Sequence, residues 1–135
     1  MIEEGLFVTT LLLLSGIVFS KLKLKTSNIW KNDIKNKISI LNSKVANDAT
    51  ILQSLLIDID KLFEHAMKMK GIIGESAGDR LKNAAKYFEE REYNKIWKAH
   101  KIRNVVAHEA TVNVTVQELK DSYETIKFAI HKLLK

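Results

Sequence analysis

The chain has 135 residues, 46% of them apolar and 28% charged, with no cysteine and no proline. That length suits one domain with a packed core, and the missing cysteines exclude disulfides, thiolate nucleophiles and Cys-ligated zinc. The lack of proline, with only five glycines, favours long helices over a turn-rich β-sandwich, while a formal charge of +6 points to nucleic acid or an acidic membrane without saying which.

Gly5 to Ser20 forms a run of sixteen uncharged residues, preceded by Glu3 and Glu4 and followed by Lys21, Lys23 and Lys25. A bilayer span takes about 20 apolar residues, and Leu22 and Leu24, between lysines able to snorkel, extend the run toward that length. A secretory signal would carry its basic residues before the apolar stretch, the reverse of what stands here. Residues 1–25 are therefore expected to be a single-pass anchor in the cytoplasmic membrane, with the basic side, and the bulk of the chain, in the cytoplasm. The alternative is a buried core helix. With no ionisable residue inside the run, nothing marks a proton or ion path.

Residues 21–47 hold seven lysines and Asp33 as their one acid, a local charge equal to the whole +6 of the chain. Lysines beside an anionic leaflet each gain about 1 kcal/mol, so this stretch supports the anchor through membrane lipid; a solvated linker face is compatible with the same lysines. Apolar residues recur at spacings of four and three through Ile34, Ile38, Leu41, Val45, Leu52, Leu55, Ile59, Leu62, Ala66 and Met69. The pattern predicts a helix from about Ile29 to Lys70, roughly 60 Å long. Asn42, Asn47 and Asp48 weaken its middle, so residues 26–46 read as a helical stalk and 47–135 as the domain. The apolar stripe of the stalk makes self-association plausible.

The glycine-rich loop Gly71–Gly78 ends that helix. Asp79 is the expected cap of the next, with Leu81, Ala84, Ala85 and Phe88 on its apolar face. Arg91–Asn94 reads as a turn, with Asn94 capping a helix over Lys95–His108 that buries Ile96, Trp97, Ile102, Val105 and Val106. Thr115 and Glu118 form a capping-box pattern ahead of a last helix with Val116, Leu119, Tyr123, Ile126, Ile130 and Leu133 facing inward. Val112-Asn113-Val114 resembles a short strand, but a lone strand has no partner to pair with. The class is all-α: four helices with short joints form a small bundle, preceded by the transmembrane helix and the stalk.

The most specific stretch is Trp97-Lys98-Ala99-His100-Lys101-Ile102-Arg103-Asn104-Val105-Val106-Ala107-His108-Glu109. His100, Asn104 and His108, spaced by four, make a polar line on an apolar helix, with Arg103 beside it. Lys95, Lys98, Lys101 and Arg103 add four positive charges without an acid between Tyr93 and His108. Arg103, Asn104 and His108 match the R-x4-H motif of the HEPN (higher eukaryotes and prokaryotes nucleotide-binding) superfamily, and the surrounding phrase resembles small membrane-anchored bacterial proteins of HEPN-like type. The resemblance covers about residues 50–135. It implies a four-helix up-and-down bundle that forms a homodimer with the motif helices facing each other, and in active members a metal-independent ribonuclease site. Arg103 would then hold the scissile phosphate, His108 would act as general acid or base, and Asn104 would orient one of them. Lys95, Lys98, His100 and Lys101 would contact single-stranded RNA.

Non-catalytic HEPN-like domains serve as dimerisation or nucleotide-binding modules, and that alternative stays open, together with an unidentified protein partner. In it Arg103 pairs with Glu109 or with a carboxylate of another helix, and His108 merely favours the helix dipole. No cofactor or metal is expected: His100 and His108 stand about 12 Å apart along the helix, too far to share one ion. His65 and His131 read as packed or solvated side chains, and Glu89, Glu90 and Glu92 as a solvated helix end.

Overall fold

The computed structural model describes residues 2–109, 111 and 113–135, without the side chain of Ile2. Every regular element among them is helical: α1 (Ile2–Ser43), α2 (Ala49–Met69), α3 (Ala77–Asn83), a 3₁₀ turn (Ala85–Tyr87), α4 (Glu90–His108) and α5 (Val116–Leu133). The chain divides into two units, one ending at Asp33 and one running from Ile34 to Lys135.

In the first unit, residues 5–20 of α1 are uncharged on all sides and exposed throughout. Phe7 is 80% exposed and Leu13 67%. The hydroxyls of Thr9, Thr10 and Ser15 donate to carbonyls of the preceding turn, at Gly5, Leu6 and Leu12. A helix in lipid must satisfy its polar groups internally in this way. By length and composition α1 is able to cross a membrane.

The second unit begins inside the expected stalk, because Ile34 and Ile38 of α1 are buried. The single long helix expected from Ile29 to Lys70 is interrupted at residues 44–48. Asp48 accounts for the break: its side chain accepts the amide hydrogen of Ile51 at 2.9 Å and caps α2. A carboxylate that satisfies an orphan N–H competes with continuation of the helix, and here it outweighs the heptad spacing. Near the break, Lys120 on α5 donates to Asn47.

Leu52, Leu55, Leu56, Ile59, Leu62, Phe63, Ala66 and Met67 of α2 are buried, and α2 packs against both α5 and α4, which also pack on each other. At the far end of α2, Gly71 takes φ 84°. Its N–H donates to Lys68 O, and the N–H of buried Ile72 donates to Met67 O. That pair of bonds is the glycine-dependent Schellman stop. Gly74 is fixed by space as well, since a Cβ there would lie 2.6 Å from Arg80 N.

Two helix starts differ from the sequence expectation. Ser76, not Asp79, caps α3, accepting Asp79 N–H at 3.1 Å while its own hydroxyl donates to Asp79. Helix α3 ends at Asn83, so of its expected apolar face Leu81 and Ala84 are buried, Phe88 is half-buried and Ala85 is exposed. Helix α4 starts at Glu90 rather than Lys95, and the stretch read as a turn is its first turn. Glu92 accepts the Glu89 N–H at 3.0 Å, and acids at this end suit the positive pole of the helix. That bond and the hydrogen bond from Lys132 hold the Glu92 carboxyl below its ordinary range, Lys132 having the larger effect. The buried residues of α4 are Ile96, Ala99 and His100, whereas Trp97, Ile102, Val105 and Val106 are only half-buried.

Helix α5 follows its expected pattern. Thr115 and Glu118 close the capping box, and Leu119, Tyr123, Ile126, Ile130 and Leu133 are buried, while Val116 is half-buried. The strand-like Val112-Asn113-Val114 falls partly outside the described residues at Val112; Asn113 and Val114 are irregular.

Tyr123 ties α5 to the end of α1. Its hydroxyl donates to Asn42 Oδ1 at 2.9 Å. Burial, with a smaller contribution from Glu124, pushes its ionisation up to about 12 from 10.0. A raised tyrosine pKa gives stability that is complete below the unfolded value and is lost as pH rises through the folded one. Stability is therefore expected to decline between about pH 10 and about pH 12. In Tyr123→Phe that alkaline decline should be flatter, at a cost of about 0.5–1.5 kcal/mol near neutrality for the missing hydrogen bond. Denaturation followed across this pH range checks both.

Candidate functional site

His100, on the polar line of α4, and Arg103 beside it face Asp60, a residue that the motif does not mark out. Asp60 lies on α2, within the line Leu56, Asp60, Phe63, Met67 that is otherwise apolar and buried. Its own side chain is 4% exposed, too little for water to solvate a carboxylate, so the bundle must supply its partners. Two come from α4. His100 Nδ1 lies 3.1 Å from Asp60 Oδ1, and Arg103 Nε lies 3.3 Å from Asp60 Oδ2. A carboxylate oxygen only accepts, so Nδ1 of His100 is the nitrogen that carries the proton in this contact.

The local order of α4 makes the convergence possible. His100 and Arg103 are three apart, hence neighbours on one face, and one carboxylate on the facing helix reaches both. Trp97 packs edge-on against the His100 ring at 5.9 Å, and Tyr93 edge-on against Trp97 at 6.3 Å. With Asp60, the Trp97 contact accounts for the burial of the His100 ring. Arg103 is 19% exposed in its side chain and also donates from Nη1 to Asn104 Oδ1 at 3.0 Å. Its Nε has no aligned hydrogen-bond acceptor among the described residues and is held to Asp60 by charge.

The seven residues singled out on α4 as catalytic or RNA-binding therefore separate into groups. Arg103, Asn104 and His100 form one partly buried cluster around Asp60. His100 is not the surface RNA contact expected of it, because it is buried and turned to that carboxylate. His108, the last residue of α4, is exposed. Five positions beyond Arg103, it sits about 140° round the helix. Lys95, Lys98 and Lys101 are exposed. Lys95 and Lys98 line a groove of about 410 Å³ between α4 and α5 whose other wall carries Glu118, Asp121 and Glu124. Three carboxylates opposite two ammonium groups cancel the positive field that the α4 sequence has by itself. Glu118 is also held in its charged form, first by the Thr115 N–H and then by the Thr115 hydroxyl.

Arg103 pairs with a carboxylate of another helix rather than with Glu109, and that carboxylate is Asp60. The signal that could have found it was local: one acid in an apolar line at helical spacing is either an error of packing or a partner for a buried cation. His65 and His131 are exposed. No protein-family model, curated protein or solved structure matches the chain.

Proposed function

We propose that this chain is a membrane-anchored, HEPN-like four-helix bundle that works as a non-catalytic interaction module, a homodimer on the cytoplasmic side of the membrane. The observation that carries the reading is the engagement of Arg103 by Asp60 within a single chain. A phosphate-binding arginine needs its donor fork free to meet the anion. Here the Arg103 side chain is four-fifths covered, its charge is opposed by Asp60, and one nitrogen is committed to Asn104. The acidic wall facing Lys95 and Lys98 works in the same direction, since a polyanion would meet carboxylates beside the lysines. In this reading Asp60, His100 and Arg103 lock α4 to α2 and so hold the outer face of α4 rigid for a partner.

The second reading, a metal-independent ribonuclease, draws on exposed His108 at the end of α4, an imidazole suited to general acid–base work near neutrality. One experiment separates the two. The full chain, purified in mild detergent, is incubated with single-stranded RNA without added metal, beside His108→Ala. No cleavage by either is the expected outcome; cleavage that disappears in His108→Ala would establish the enzyme and refute the module.

A further inference from the structure

The lysines that follow the apolar run of α1 carry more than a bulk charge. Lys21, Lys23 and Lys25 are all exposed. At 100° per residue, Lys25 stands about 40° and Lys23 about 200° round from Lys21, and the three span about 6 Å of helix axis. They make a collar, not a stripe. The apolar residues before them are open on every side too: Leu11, Leu12, Leu13 and Leu14, which together go round a full turn, are 66%, 66%, 67% and 59% exposed. A helix lying in the plane of a membrane needs one apolar face and one charged face. This segment has neither, so the collar belongs at headgroup level around a helix that crosses the bilayer.

The three lysines also lack a counter-charge within the helix. No acid stands three or four positions from any of them, and the ion pairs of the described residues lie elsewhere. Lys21 and Lys25, four apart, are a like-charge pair that by itself weakens a helix. An anion from outside the chain is what relieves that repulsion.

We propose that Lys21, Lys23 and Lys25 form a binding collar for the headgroups of anionic phospholipids and thereby favour an anionic leaflet at this end of α1. This rests on the membrane-spanning reading. Because Lys23 faces away from Lys21 and Lys25, the collar takes several singly charged headgroups around its rim rather than one multiply phosphorylated headgroup. Each ammonium donates to phosphate oxygens while its methylene stem lies along the apolar helix.

The test uses the full chain in phosphatidylcholine bilayers doped with spin-labelled phosphatidylglycerol or spin-labelled phosphatidylcholine. Electron spin resonance then reads the lipid immobilised against the protein. Phosphatidylglycerol is expected to be preferred on the order of fivefold, and the preference should shrink toward parity at about 1 M salt, where screening is short-ranged. Substituting Lys21→Gln, Lys23→Gln and Lys25→Gln together should remove it. Equal immobilisation of both lipids by the unaltered chain, or a preference that survives the triple substitution, would overturn the collar. Absence of any immobilised lipid would overturn the span itself, a separate failure.

Discussion

Asp60→Ala is expected to lower the unfolding free energy of the helical unit by about 3–5 kcal/mol, because it leaves buried cationic or donor groups without their acceptor. His100 is buried and Arg103 is four-fifths covered, so neither gains full hydration in exchange. In a unit of this size, 1 kcal/mol shifts the melting midpoint by about 4–8 °C, so thermal unfolding of the detergent-solubilised chain should show a drop of more than about 12 °C. Asp60→Asn, which keeps one acceptor but loses the charge, should fall between the two. The pair with Arg103 is tested by a double-mutant cycle. Arg103→Ala should cost clearly less in the Asp60→Ala background than in the unaltered chain, because the charge it compensates is already gone. Additive costs, or a loss below about 1 kcal/mol for Asp60→Ala, would mean that the cluster is solvated and that α4 is held by apolar packing alone. That result would also reopen Arg103 as a phosphate ligand.

The second large effect concerns α1. Leu13 stands near the centre of the uncharged run and is 67% exposed, so Leu13→Asp changes little inside the protein and much in a bilayer. An aspartate at the centre of a span costs about 3 kcal/mol, which shifts an insertion equilibrium by on the order of a hundredfold. Membrane fractions washed with alkaline carbonate should retain the unaltered chain and Leu13→Ala, and lose most of Leu13→Asp. Retention of Leu13→Asp at the unaltered level would place membrane attachment outside this run. The run is short for a span, which leaves little apolar area in reserve and makes a single charge decisive.

What was legible in the sequence was what neighbours in the chain decide. The capping box at Thr115 and Glu118 and the apolar stripe of α5 depend on contacts three and four residues apart, and they stand where the spacing put them. The end of α2 was legible for the same reason, since a glycine with φ 84° is a local demand. The misplaced boundaries were local too, but contested. At Asp48 a heptad repeat and a capping carboxylate made opposite claims, and the cap prevailed by satisfying an amide that continued helix leaves to its own ladder. At the start of α4 the polar run Arg91–Asn94, with Asn94 able to cap, set the expected boundary too late, whereas Glu89 and Glu92 close a capping box one turn earlier.

The sequence by itself determined an all-helical chain, an N-terminal helix apolar enough for a membrane, and a polar line of His100, Asn104 and His108 on α4. Only the tertiary structure decided what that line meets. Asp60 stands forty residues before His100, and Glu118, Asp121 and Glu124 stand twenty or more after Lys98. Charge compensation across that separation depends on which helix faces come together, a matter of packing that periodicity along one helix does not encode. An arginine free to hold phosphate and an arginine locked to an aspartate read the same along the chain; the carboxylate opposite makes the difference.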